Sequence, residues 1–148
     1  MEYLSTLDDK GRISLPARIR GNMVDNTIIL TKGMNRSIWV FLPHEWENFF
    51  KKFLDSASLS LNKQLMLQHQ FIAPKAEIDI DKSGRIAIPQ SLRNHASLSR
   101  DCTILEVINH WEIWDSALYD AYLKANEEKL YEVLEELGPV SLFSGSVI

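Results

Sequence analysis

Two stretches of the sequence are nearly the same, and they decide the fold: Leu7–Arg20, LDDKGRISLPARIR, and Ile80–Arg93, IDKSGRIAIPQSLR. Each residue of the first lies 73 positions before its counterpart, without a gap. The identical pairs are Asp8/Asp81, Gly11/Gly84, Arg12/Arg85, Ile13/Ile86, Pro16/Pro89 and Arg20/Arg93. A pattern repeated this closely predicts an internal duplication.

The similarity resumes after each stretch. Ile113-Trp114 follows Ile38-Trp39 at an offset of 75, and Thr103 matches Thr27 at an offset of 76. The two copies are therefore expected to differ by one residue in the turn between these segments. A unit of about 45 residues is near the size at which a domain needs partner surface. We therefore expect the two copies to complete one another.

The hydrophobic pattern of each copy predicts strands, turns and short helices. The segments RISLP and RIAIP alternate apolar and polar residues, as strands do. The proline that closes each of them is compatible with the first turn of a helix. A hairpin and a helix follow in each copy, a helix at about 62–70 connects the copies, and a long acidic helix is expected at 116–137. The fold class is thus mainly β with helices, or α+β.

Composition excludes several classes of protein. The chain has 148 residues with 45% hydrophobic and 24% charged residues, which is typical of a globular protein and not of a disordered one. Cys102 is the only cysteine, which excludes an internal disulfide and suits the cytoplasm. No apolar run reaches the roughly 18 residues of a membrane helix, and no signal peptide is expected. The net charge is −4, but residues 1–36 hold six basic and four acidic side chains, so this N-terminal segment is basic.

The second stretch begins like a calcium loop, since Asp79, Asp81, Ser83 and Gly84 occupy the first, third, fifth and sixth places of an EF-hand. The twelfth place, which needs a bidentate glutamate, holds Gln90. The four histidines show no metal-ligand spacing, and no nucleotide-binding or hydrolase motif is present. We therefore predict no metal, no cofactor, no small-molecule substrate and no enzymatic activity.

Two interpretations of Arg12 and Arg85 remain open on the residues alone. Each arginine follows a turn glycine and opens a strand. Either it forms a turn ion pair with Asp8 or Asp81, or the turn displays it toward phosphates or guanine edges.

The duplicated D-x-x-G-R turns, each followed by P-x-x-x-R and a hairpin with Ile-Trp, resemble the MraZ family over about residues 3–124. That family consists of bacterial transcriptional regulators of the division and cell-wall gene cluster. The resemblance implies two tandem swapped-hairpin AbrB-like repeats that form a pseudo-twofold barrel with flanking helices. It also implies an oligomeric ring that binds direct repeats in double-stranded promoter DNA, in the cytoplasm and at the nucleoid.

Carried onto this sequence, the resemblance implies direct DNA contact by Arg12 and Arg85 and phosphate contact by Lys10 and Lys82. Three arginines lie on the expected short helices, namely Arg18, Arg20 and Arg93. Three interpretations stay open for them: a phosphate contact, a solvated charge or an interface pair. The turns themselves are expected to be held by Asp8, Gly11, Asp81 and Gly84. The alternative function is an AbrB-fold antitoxin or an assembly module without specific DNA binding.

The implied boundaries divide the chain into four parts. A first SpoVT-AbrB-type domain is expected at 3–49 and a second at 77–120. Connecting helices occupy 50–75, and an acidic C-terminal helix with an apolar tail occupies 121–148.

Overall fold

The computed structural model describes residues 1–21, 25–55 and 58–138. These residues form eight strands: β1 (Glu2–Thr6), β2 (Arg12–Ser14), β3 (Thr27–Lys32), β4 (Ile38–Phe41), β5 (Ala76–Asp79), β6 (Arg85–Ala87), β7 (Asp101–Glu106) and β8 (Trp111–Asp115). They also form six α-helices: α1 (Ala17–Gly21), α2 (Pro43–Leu54), α3 (Leu61–Leu67), α4 (Gln90–Ala96), α5 (Ser116–Ala125) and α6 (Glu127–Leu137). The predicted α+β class is confirmed.

Six strands form one antiparallel sheet in the order β1-β7-β8-β4-β3-β5. The remaining two pair with each other as an antiparallel β2–β6 ladder. Strand β2 contacts β1, and β6 contacts β5, so the ladder reaches both edges of the sheet. Exchanging β1–β4 for β5–β8 leaves every pairing in place, which is the pseudo-twofold arrangement that the resemblance implies.

The two copies interleave because the outer strand of each pairs with the other copy. Strand β1 lies against β7, and β5 lies against β3. The central contact joins β4 to β8, where Ile38 faces Ile113. The core therefore draws on both copies, and its fully enclosed side chains include Ile13, Ile86 and Leu92.

The two hairpins differ in loop length, as the sequence predicts. Five residues, 33–37, connect β3 to β4, and four residues, 107–110, connect β7 to β8. The predicted match of Thr27 with Thr103 is wrong by two residues, however. Thr6 pairs with Asp101, and its counterpart Asp79 pairs with Thr27, so Thr27 corresponds to Asp101. The predicted match of Ile38 with Ile113 is also wrong by two residues, because Lys32 pairs with Ile38 and its counterpart Glu106 pairs with Trp111.

The helices around the sheet follow local signals. The connecting helix α3 begins after Ser60, whose hydroxyl accepts a hydrogen bond from the Lys63 N–H at 3.3 Å. It continues as a π-helical turn at Gln68–Ile72, where Phe71 is buried. Three tryptophans of the sheet and of α2 are buried, namely Trp46, Trp111 and Trp114.

The chain divides into two compact units, Met1–Ser116 and a second that begins at Ala117. The predicted single helix at 116–137 is in fact two helices, α5 and α6. Asn126 lies between them, and its side-chain amide donates to the Tyr122 carbonyl oxygen at 2.7 Å. That bond ends α5, while the Asn126 carbonyl accepts the Leu130 N–H and begins α6.

The predicted domain boundaries stay a prediction, and the apolar tail at 139–148 lies outside the described residues. In the ranges that the structure describes, no helix combines the length and apolar composition needed to cross a membrane.

Candidate functional site

The two D-x-x-G-R segments form the same tight turn. In the first, the Asp8 N–H donates to the Arg12 carbonyl oxygen at 2.9 Å, and the Gly11 N–H donates to the Asp8 carbonyl oxygen at 3.1 Å. The corresponding distances from Asp81 and Gly84 in the second turn are 2.9 and 3.0 Å. Gly11 and Gly84 have φ values of +78° and +79°. This left-handed conformation is why the turn needs glycine at that position.

The aspartate of each turn bonds its own backbone and its own arginine. In the first turn, Asp8 Oδ1 accepts the N–H groups of Lys10 and Arg12 at 2.9 and 2.8 Å. Asp8 Oδ2 accepts from the Arg12 Nε at 2.8 Å. The backbone N–H of Arg12 is the main reason why the pKa of Asp8 lies below its usual value. The carboxylate is therefore ionised and engaged inside the turn at neutral pH.

The second turn repeats this network. Asp81 Oδ1 accepts the N–H groups of Ser83 and Arg85 at 2.8 and 2.9 Å, and Oδ2 accepts from the Arg85 Nε at 3.1 Å. The pKa of Asp81 is likewise lowered, first by the backbone N–H of Arg85. Both ion pairs allowed by the sequence are therefore present. They use Nε of each arginine.

Both arginines lie on one face of the β2–β6 ladder. Side chains alternate along a strand, and Ile13 and Ile86 occupy the inner face, where they are 0% and 1% exposed. Arg12 is placed opposite Ala87, and Arg85 opposite Ser14, on the outer face. The Arg85 Nη1 lies 4.0 Å from Asp8 Oδ2, so the first aspartate is close to both arginines. The ladder thus displays two arginines, about one third exposed, on a two-stranded ribbon.

The other predicted site residues divide into three groups. Lys10 and Lys82 are exposed in the turns beside the ladder. Arg18 lies on α1 and donates from Nε to the Glu106 Oε2 at 2.8 Å, so it forms an interface pair between the copies. Arg20 and Arg93 lie over the turn glycines; Arg93 is half-buried there and Arg20 is exposed.

The position of Arg20 and Arg93 is a feature that sequence reasoning missed. A β-carbon added at Gly11 would lie 2.6 Å from the Arg93 Cζ, and one added at Gly84 would lie 2.7 Å from the Arg20 Nη1. Each guanidinium therefore covers the glycine of the other copy's turn. The sequence does carry a signal, since a glycine precedes an arginine by nine positions in both copies. It does not show that the contact crosses between the copies.

The residues of the calcium-like pattern serve other purposes. The Asp79 carboxylate accepts a hydrogen bond from the Thr27 hydroxyl across the β3–β5 ladder at 2.9 Å, while Asp81 is used within its turn. Within the described ranges, no group of three or more His, Cys, Asp or Glu side chains is arranged to hold a metal ion. Cys102 is buried, and burial, aided by Asp115 and Asp101, raises the pKa of its thiol to about 11. A thiol in that state is a poor nucleophile.

Comparison with known proteins places the whole repeat in one family. The family model described as "MraZ protein", with the qualifier antitoxin-like, matches residues 2–69 and 71–137. A transcriptional regulator MraZ from Treponema denticola is 41% identical over 139 residues, which cover 94% of this chain and 96% of that protein. A protein of the same name from Treponema pallidum is 39% identical over 84% of each chain. Another from Halothermothrix orenii is 34% identical over 93% of this chain and 96% of its own.

Proposed function

The chain belongs to the MraZ family, whose relatives above are transcriptional regulators, and on that premise we propose that it regulates transcription by binding promoter DNA sequence-specifically. The outer face of the β2–β6 ladder is the proposed DNA-contacting surface. One observation carries the proposal: both turn arginines are on the same exposed face of a two-stranded ribbon, fixed there by their aspartates.

The geometry suits the major groove of B-DNA. That groove admits a two-stranded β-ribbon, and arginine pairs with the O6 and N7 atoms of guanine through its terminal N–H groups. Nε of each arginine is bonded to its own aspartate, so the terminal N–H groups of Arg12 and Arg85 are the ones proposed to contact guanine. Lys10 and Lys82 contact flanking phosphates, which position the ribbon without reading sequence.

Assembly provides the affinity that one chain lacks. A chain with a net charge of −4 and few basic contacts binds DNA weakly alone. Several copies held in a ring on direct repeats gain about 10²–10⁴ in apparent affinity by multivalency. The proposed setting is promoter DNA of the division and cell-wall gene cluster, in the cytoplasm and at the nucleoid. No catalysis or cofactor enters this mechanism.

The family description supports a second candidate, an antitoxin or assembly module that acts without specific DNA binding. In that case the ladder contacts a protein, and DNA affinity is independent of the turn arginines. The duplicated arginines favour the DNA function, because both copies present the same group to the same face.

Selection of bound duplexes from sheared genomic DNA, followed by fluorescence anisotropy at fixed salt, tests the proposal. Arg12→Ala and Arg85→Ala are each expected to weaken binding of the selected duplex by about 5- to 150-fold, since a bidentate base contact contributes ~1–3 kcal/mol. Light scattering should give the parent mass for both variants. The control Lys63→Ala removes an exposed charge from α3 and should bind like the parent. Parent-like binding by both arginine variants would refute the DNA role of the ladder and favour the second candidate.

A further inference from the structure

Each turn glycine is held by the opposite copy from two sides. The Ile88 N–H donates to the Gly11 carbonyl oxygen at 2.9 Å, and the Leu15 N–H donates to the Gly84 carbonyl oxygen at 2.9 Å. The side of each glycine that lacks a Cβ is covered by a guanidinium, from Arg93 at Gly11 and from Arg20 at Gly84. Both contacts thus pass from one copy to the other.

The guanidinium groups are carried by helices that the core fixes. Leu92 of α4 is 0% exposed, and Ile19 of α1 is 1% exposed, so both short helices are anchored in the core. In α4, the Arg93 Nη2 donates to the Gln90 Oε1 at 2.8 Å. The Arg93 Nε is buried and, among the described residues, has no hydrogen-bond partner. The Arg93 guanidinium therefore packs as a plane against the glycine more than it acts as a solvated charge, whereas Arg20 covers Gly84 from an exposed position.

We infer that Arg20 and Arg93 are positioning residues, each of which fixes the DNA-contacting turn of the opposite copy. Arg93 acts on the turn that presents Arg12, and Arg20 acts on the turn that presents Arg85. This inference rests on the proposed DNA function. It makes each turn depend on a helix of the opposite copy, since each copy supports the turn of the other.

Crossed double-mutant cycles distinguish this role from direct phosphate contact. Arg93→Met alone is expected to weaken binding of the selected duplex about five- to tenfold. In an Arg12→Ala background the same change should add less than about twofold, because the turn it supports no longer presents its arginine. In an Arg85→Ala background it should keep its full effect. Arg20→Met should show the reverse pattern, coupled to Arg85 and independent of Arg12.

Lysine substitution provides the second readout. Arg93→Lys keeps the charge but not the planar guanidinium, so a positioning role predicts a loss close to that of Arg93→Met. The slope of log affinity against log salt should stay near that of the parent in both variants. The control Lys63→Met removes a distant exposed charge and should change neither affinity nor slope.

The outcomes separate the inference from its premise. If Arg12→Ala and Arg85→Ala bind like the parent, the proposed function itself fails. The inference is overturned if Arg12→Ala and Arg85→Ala weaken binding but Arg93→Lys binds DNA like the parent. It is also overturned if Arg93→Met weakens binding equally in both backgrounds. Either result would make Arg93 a phosphate ligand. Thermal unfolding of each variant identifies any that do not fold, and the lysine variants then provide the cycle.

Discussion

At the scale of single residues, Gly84 meets two requirements that no other residue type satisfies together. Its φ of +79° lies in the left-handed region, which is costly for a residue with a Cβ. The Arg20 guanidinium occupies the space where that Cβ would be, at 2.7 Å. An alanine could relieve the second conflict only by displacing Arg20, and the first would remain.

Gly84→Ala should therefore lower the free energy of unfolding by more than about 1 kcal/mol in urea titrations. Gly21 is the matched control, since nothing lies within 4 Å of its added Cβ and its φ is outside the left-handed region. Gly21→Ala should be neutral or stabilise the fold by about 0.4–1 kcal/mol. Equal stability of the two variants would contradict the left-handed backbone conformation of Gly84.

At the scale of elements, the turn and its ladder depend on ionised aspartates. The folded-state pKa values of Asp8 and Asp81 are below their usual value of 3.8, first because of the backbone N–H groups of Arg12 and Arg85. A lowered folded-state pKa means that the ionised carboxylate stabilises the fold. This stabilisation is complete above about pH 5 and is lost as the pH falls through the lowered folded-state values.

The double variant Asp8→Asn/Asp81→Asn should be less stable than the parent at pH 7, and the difference should shrink as the pH falls below about 3. The reason is that a protonated aspartic acid, like asparagine, lacks the charge that the turn N–H groups and the arginine stabilise. Urea unfolding at both pH values measures the difference. Asp9→Asn, an exposed aspartate in the same turn, should match the parent throughout. A difference that persists unchanged at low pH would show that the carboxylate charges do not hold the turns.

The same elements show how far the sequence could predict the structure. The positive φ at Gly11 was predictable, because a glycine between charged residues and a strand is typical of a tight turn. The match of Thr27 with Thr103 was not correctable from sequence. A shift of two residues keeps every side chain on the same face of a strand, so the apolar pattern is equally good in both registers. The break at Asn126 had a signal, an asparagine followed by Glu127 and Glu128, which is typical of a helix start.

At the scale of the whole molecule, the order of strands explains why duplication was visible but the cross-copy contacts were not. The identical spacing of residues within each copy indicates the local structure of that copy only. The contact of Arg93 with Gly11 depends on the β2–β6 ladder, which joins residues more than 70 positions apart. Nothing in either copy alone distinguishes support of its own turn from support of the other one.

Interleaving also predicts that neither copy folds alone. Fragment 1–75 would leave β1 without β7 and β4 without β8, and fragment 76–148 would leave β5 without β3. Each fragment would also expose one side of the shared core, including Ile13 or Ile86. Units of this size bury too little apolar surface to compensate for such losses.

We therefore expect fragments 1–75 and 76–148 to lack the near-ultraviolet circular dichroism of buried tryptophans when separate, and to regain it when mixed in equal amounts. Trp46 of the first fragment and Trp111 of the second report on the two halves, since both are buried in the intact chain. The intact chain, taken through the same dilution from urea, controls for refolding. A fragment that gave the native signal alone as a monomer would show that its copy has a self-sufficient core, and the dependence of each turn on the opposite copy would lose its structural basis.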